Sequence, residues 1–337
     1  MIKEILEIPR ILREFIKSPF VFDATALRKI KLAKRILIVG CGTSYHAGLL
    51  GAIFFEELSG KPVRVVSASE ASHQNLNYDL VVVVSQSGET KDVLEFLRKI
   101  KPKKIFTIGI SNSKNSLLSR LADFNIYQNV GLEKSIPATK TFISQVAILL
   151  QLALMGNKKN ASLHESFKKL PNLMEKILER QEKIRAVAEK YKSFDKFFIL
   201  GAGFNFPVAL EGALKFKEAA GILAEGMLAG ELKHGPITLV DKSSASLLIM
   251  PKDLRYWENL SLLLEIKKNG GPVVAITTEG NKDLDKIIKD VIYIPKTEEL
   301  LYPFLATLVL QFLAYSSGVL RGYNVDKPRN LSKAVRI

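Results

Sequence analysis

The chain predicts an α/β protein made of two tandem units, each a parallel sheet flanked by helices in a doubly wound arrangement. Three observations carry this. Short unbroken apolar runs, Ile36–Val39 and Leu80–Val84, have the pattern of strands buried on both faces. Each empties into a turn rich in glycine or hydroxyl groups that opens a helix, as the strand–turn–helix units of parallel sheets do. The pattern then recurs: FFILGAG at Phe197 parallels ILIVGCG at Ile36, an offset of 201 − 40 = 161 residues. A length of 337 residues accommodates two such units.

Taken in order, residues 2 to 17 read as a helix, with Ile2, Ile5, Leu6, Ile8 and Leu12 forming an apolar stripe around Pro9. A second helix runs to Lys31 from a cap at Asp23. The strand Arg35–Gly40 leads through GCGTS into a helix from His46 to Leu58. That turn points backbone N–H groups at an anion. Its spacing breaks the dinucleotide fingerprint at Ser44, Tyr45 and His46, so a Rossmann cofactor site is set aside. Val63–Val66 and Leu80–Val84 are the next strands, and the second empties into SQSGET, Ser85–Thr90, ahead of a helix from Lys91 to Ile100. A helix cap needs one polar residue. The hydroxyls of Ser85, Ser87 and Thr90 and the amide of Gln86 exceed that need, which favours a phosphate site.

Lys104–Ile110 and Asn125–Gln128 read as further strands. The polar loop EKSIPATK, from Glu133 to Lys140, leads into an apolar helix Thr141–Leu154, which the lysine-rich segment 157–160 breaks. A helix Leu170–Tyr191 bridges to the second half. There Leu247–Met250, Val273–Thr277 and Val291–Ile294 answer the strands at Leu80, Lys104 and Asn125. In place of SQSGET stand Met250, Pro251, Lys252 and Asp253, so one phosphate site is expected, in the first copy. The domain boundaries fall at 1–160, 161–320 and 321–337. The last segment follows an apolar helix and reads as extended, with Ser332 and Lys333 able to close over a site.

The densest chemistry lies in Ala209–Pro236. Glu211, Lys215 and Glu218 sit at i, i+4 and i+7 and share one helix face. A second cluster, Glu231, Lys233 and His234, ends at Gly235-Pro236, which breaks the helix. Such pairs are ordinarily solvated. The adjoining apolar run (Ala219, Ala220, Ile222, Leu223, Ala224) argues for partial burial, where charges are costly and fit proton transfer on a small molecule.

Composition narrows the field. Nearly half the residues are hydrophobic and a quarter charged, as in a packed globular protein. No apolar run reads as long enough to cross a membrane and no signal core opens the chain, so a cytoplasmic protein with no membrane partner is expected. The single cysteine, Cys41, and the scattered His46, His73, His164 and His234 give neither a disulfide nor a metal motif. The net charge of +15 is spread over many helices, without aromatic interleaving. It fits steering of an anionic substrate better than nucleic-acid binding, which is not expected.

Six motifs in order, CGTS at Cys41, SQSGET at Ser85, ATK at Ala138, ALEGALKFKE at Ala209, GELKHGP at Gly230 and DKPRNLSKAV at Asp326, resemble the sugar isomerase (SIS) family. Within it the chain is similar to the isomerase half of the glutamine–fructose-6-phosphate aminotransferases and to SIS-type archaeal glucosamine-6-phosphate deaminases. The resemblance spans essentially the whole chain and implies two tandem SIS subdomains, flavodoxin-like and doubly wound. It implies that Thr43, Ser44, Ser85, Gln86, Ser87 and Thr90, with Ile136, Ala138 and Ser332, hold a hexose 6-phosphate. Glu218 would shuttle a proton between carbons 1 and 2 with Lys215 nearby. His234 would open the sugar ring from the neighbouring subunit of a homodimer. Lys333 would form or assist an imine at the ketose carbonyl, helped by nearby cations that ease loss of its proton. No metal or organic cofactor is implied.

Three departures shape the functional expectation. Residue 2 is Ile, so a glutaminase half with its cysteine after the initiator Met is expected to be missing. Ala138 stands where the synthases carry a serine, and the tail ends slightly early. The expected reaction is therefore deamination of glucosamine 6-phosphate to fructose 6-phosphate and ammonia. The alternatives are synthesis with free ammonia or a separate glutaminase subunit, a sugar-phosphate deglycase, and a phosphosugar-sensing module.

Overall fold

A computed structural model describes residues 1–18, 20–71, 73, 77–155 and 160–333. The lysine-rich break expected at 157–160 lies outside these residues except for Asn160, as does 334–337 of the expected tail. The chain forms two compact units. One comprises 10–165 with 332–337, and the other comprises 1–9 with 166–331. They are called here the first and the second unit.

In chain order the elements of the first half are α1 (Ile2–Lys17), α2 (Ala24–Leu32), β1 (Ile36–Gly40), α3 (Thr43–Ser59), β2 (Val63–Ser67), α4 (Ala68–Ala71), β3 (Leu80–Val84), α5 (Lys91–Ile100), β4 (Phe106–Ser111), α6 (Leu117–Leu121), β5 (Phe124–Tyr127) and α7 (Lys140–Leu154). The five strands are parallel in the order β2-β1-β3-β4-β5, the flavodoxin-like winding. Every residue of β1 and β3 is buried. On one face Leu37, Val39, Val81 and Val83 pack with Val93, Phe96, Leu97 and Ile100 of α5. On the other, Ile38 meets α3 at Gly48 and Gly51, and Leu149 of α7 closes in at the second of these. Asp23 caps α2 as expected, its side chain accepting from Ala26 N–H at 2.7 Å. Helix α3 begins three residues earlier than expected, which brings Thr43 and Ser44 into its first turn.

The second half holds α8 (Ala161–Leu178), α9 (Gln181–Tyr191), β6 (Lys196–Gly201), α10 (Phe206–Ala220), β7 (Leu223–Leu228), β8 (Ser244–Ile249), α11 (Tyr256–Lys268), β9 (Val273–Thr278), β10 (Val291–Ile294) and α12 (Tyr302–Leu320). Its sheet is again parallel, in the order β10-β9-β8-β6-β7, the same winding with the same offset between Gly40 and Gly201. Three expectations are corrected here. The bridging helix is two helices, because the chain tightens at Arg180, whose N–H turns to the Ile177 carbonyl at 3.0 Å. Ala209–Pro236 is not one helix either. Gly221, at φ +62°, takes the left-handed conformation that closes α10, and Leu223 N–H then donates to the Asp195 carbonyl and starts β7 alongside β6. Finally, the segment Glu299–Leu320 is apolar and long enough to cross a membrane by length and composition. Its α12 portion packs on α9 and α10, and 83% of the apolar window is buried within the protein, as in a core helix.

Candidate functional site

In a 2-1-3-4-5 sheet the strand order reverses between β1 and β3, and ligands bind outside the carboxyl ends of the strands at that switch. The first unit places CGTS after β1 and SQSGET after β3. The polar-loop arithmetic of the sequence thus corresponds to a place in the fold. Ser85 is buried, and its hydroxyl accepts from Gly88 N–H at 3.1 Å and pairs with the Thr90 hydroxyl at 3.1 Å. Ser87 Oγ accepts from Glu89 N–H at 3.1 Å. Thr90 is the N-cap residue of α5, yet its side chain makes no capping bond. Gly42, the N-cap residue of α3, has no side chain to cap with. Two helix N-termini without side-chain caps thus open at one switch point, with half-buried Thr43, Gln86, Ser87 and Thr90 around them. This arrangement favours an anion. Ser44 is buried and its hydroxyl meets Gln145 Nε2 at 3.1 Å, so it braces α3 against α7. Cys41 is half-buried; burial, the largest influence, pushes its thiol above the ordinary range despite backbone hydrogen bonds at Ala68 and Ser69. It is held as a neutral small residue.

The equivalent switch in the second unit is built differently. After β8, Lys252 N–H donates to Thr278 Oγ1 at 2.8 Å and Arg255 N–H to Asp253 Oδ1 at 3.0 Å. A carboxylate acceptor stands in place of a row of hydroxyl donors.

Helix α10 of the second unit carries the buried charges. Lys215 is fully buried, with its Nζ 2.5 Å from Glu218 Oε2 and 3.3 Å from Glu211 Oε1. The helix-face spacing is therefore real, and the solvated reading of it is wrong. Burial, the largest influence on Lys215, pushes its pKa down, but the charges and hydrogen bonds of Glu211 and Glu218 outweigh it and hold it above the ordinary lysine value. Glu211 is buried, while the Glu218 side chain keeps 15% exposure. Of the two carboxylates, Glu218 is the one a ligand can reach.

His234 does not share that helix face. It is exposed, following a 3-10 turn Ala229–Lys233 after β7, and it lines a cavity of about 850 Å³ with Leu228, Lys233, Arg255 and Trp257. Neither Glu218 nor Lys215 lines this cavity. Lys233 pairs with Glu265 at 3.2 Å.

The last described residues, Ser332 and Lys333, belong to the first unit. Lys333 Nζ lies 2.6 Å from Glu133 Oε2 and 2.6 Å from the Ser135 carbonyl, with the Ile136 carbonyl at 3.5 Å. A carboxylate faces this amine. Ile136 and Ala138 are half-buried in the same loop. Sequence reasoning treated Glu133 only as the start of a polar loop. Among the described residues no group of three or more His, Cys, Asp or Glu side chains is placed to hold a metal ion.

The geometry can be set beside known proteins. The SIS domain model matches residues 29–155 and 190–321, one stretch in each half. The glutamine–fructose-6-phosphate aminotransferase of Chlorobaculum tepidum is 39% identical over 356 aligned positions, covering 100% of this chain and 58% of that protein. The chain thus spans a little over half the length of the curated relatives it matches. Among solved structures, the C-terminal domain of glucosamine-fructose-6-phosphate aminotransferase from Francisella tularensis superposes with a TM-score of 0.90 at 32% identity, covering 97% of both chains. Glucosamine-6-phosphate deaminase from Thermotoga maritima superposes with a TM-score of 0.82 at 28% identity, covering 100% of this chain and 99% of that one. With two matched stretches, two parallel sheets of one winding and relatives aligned along its whole length, the chain belongs to the SIS domain family.

Proposed function

We propose that the protein is an enzyme of sugar-phosphate isomerase type that deaminates glucosamine 6-phosphate to fructose 6-phosphate and ammonia. The single observation that carries an enzymatic reading is the buried Glu211–Lys215–Glu218 triad. A module that only senses a phosphosugar has no need to bury two carboxylates and an ammonium, which is costly. An aldose–ketose shift needs a base whose proton stays away from solvent, and Glu218, held by Lys215 and largely buried, has that character.

In this reading the switch-point loops of the first unit bind the phosphate. His234 opens the sugar ring. Glu218 takes the proton from carbon 2 and returns it to carbon 1, which leaves an imine at carbon 2. Water adds there and ammonia leaves. Lys333 assists at the carbonyl carbon, and no metal takes part. A homodimer in which His234 is contributed across the interface completes the account. The exposed side chains of Leu254 and Trp257, 90% and 68% accessible, support it, since Trp257 lines the cavity of His234. The same reading assigns the protein to the cytoplasm.

Deamination as the direction is supported by the end-to-end similarity to the Thermotoga maritima deaminase. The second reading, synthesis from fructose 6-phosphate with free ammonia or a separate glutaminase subunit, is favoured by the higher identity to the aminotransferases. The test is ammonia release from glucosamine 6-phosphate by the purified chain, with fructose 6-phosphate plus ammonium in parallel. Rapid release with a slower reverse reaction is the expected result. Glucosamine 6-phosphate formation without release supports synthesis, and silence in both directions contradicts both readings and favours a deglycase or a sensor.

A further inference from the structure

Glu133 is a charged residue to which the sequence motifs give no role, and yet it is among the most heavily bonded side chains of the first unit. Its side chain has no solvent exposure. Oε1 accepts from Thr139 N–H at 2.9 Å and from Thr141 N–H at 3.2 Å. Oε2 accepts from the Thr141 hydroxyl at 2.8 Å and from Lys333 Nζ at 2.6 Å. Thr139 is the N-cap residue of α7 and makes no side-chain cap of its own. Glu133 thus caps this helix from six residues upstream, where its negative charge also meets the positive end of the helix dipole. Every residue from Lys140 to Leu150 is buried, so the helix that orients this carboxylate is fixed in the core.

We propose that Glu133 is a positioning residue that acts through Lys333. It docks Lys333 within the first unit and fixes where its amine stands. The Lys333 side chain keeps 27% exposure, so the ammonium is held between a buried carboxylate and two loop carbonyls while one side stays open. A carboxylate held by the N–H and hydroxyl groups of Thr139 and Thr141, at the start of α7, is fixed independently of the lysine. The carboxylate is therefore the fixed half of the Glu133–Lys333 pair. The docking itself rests on the contacts alone, whereas its consequence for turnover rests on the function proposed above.

The test is Glu133→Gln in the full chain. Glutamine still accepts from Thr139 and Thr141 N–H but carries no charge to hold Lys333. Limited trypsinolysis followed by intact mass reads the anchor, because cleavage after Lys333 requires its side chain to leave Glu133, and cleavage after Arg329 is an internal reference. Cleavage after Lys333 relative to Arg329 is expected to rise about tenfold, the scale of one lost charge-assisted hydrogen bond. With glucosamine 6-phosphate, kcat is expected to fall about 100-fold from misplacement of the amine, with KM unchanged within about threefold. Thr141→Val removes only the hydroxyl that steadies Oε2 and is expected to shift the cleavage ratio in the same direction by less, which keeps the proposal open to test if Glu133→Gln does not fold. An unchanged ratio in either folded variant overturns the docking. A raised ratio with unchanged kcat overturns the role in turnover. A wild-type chain that converts no phosphosugar refutes the proposed function, and the cleavage ratio still decides the docking.

Discussion

At the scale of single residues, Lys215 carries the sharpest electrostatic consequence. Its ammonium is fully buried between Glu211 and Glu218. Its pKa in the folded chain is raised above 10.5. The stability this adds is present in full below the unfolded value and is lost as pH rises through the folded one. Denaturant midpoints of the wild type should therefore decline above pH 10.5, with a component that Lys215→Met lacks. At neutral pH Lys215→Met leaves two carboxylates on α10 without their ammonium, and an unfolding free energy lower by about 3–5 kcal/mol is expected. A loss below about 1 kcal/mol would mean that the triad is solvated after all.

At the scale of elements, the SQSGET loop depends on one backbone conformation. Gly88 sits at φ +66°, and a Cβ added there would stand 2.2 Å from Ser116 Oγ. Gly88→Ala is expected to cost about 1–2 kcal/mol for the left-handed backbone alone, and more for the clash. It should weaken phosphosugar binding measured by calorimetry, because Ser85 Oγ and Gly88 N–H are bonded to each other. Binding at wild-type strength would separate the loop from the ligand. Much of this was legible in the chain. β1 and β3 are so uniformly apolar that the sheet and its polar loops read off directly, and the 161-residue repeat foretold the second sheet. β7 was not legible, because LAEGML alternates weakly and follows an alanine-rich helix; Gly221 was the available signal for the break. Glu133 was missed for a different reason. Its partners are two backbone N–H groups, two hydroxyls and a lysine 200 positions away, and periodicity reports none of these.

At the scale of the whole molecule, the two units share one winding and have been put to different uses. The first presents hydroxyls and helix ends at its switch point, and the second presents a carboxylate there and buries its charges on α10. The net charge of +15 adds a positive field that favours an anionic substrate. If a second copy covers the cavity of His234, Trp257→Glu should shift the protein from dimer to monomer in sedimentation velocity and lower activity in proportion. A wild type that remains monomeric at micromolar concentration would contradict the dimer. The central claim, proton transfer by a base on α10, is tested most directly by Glu218→Gln, assayed beside the wild type for turnover of glucosamine 6-phosphate and for its binding. Glutamine keeps an oxygen for Lys215 but cannot accept a proton. The account predicts a fall in kcat of at least about 1000-fold with affinity preserved within about threefold. A variant that keeps a tenth or so of wild-type turnover would contradict it.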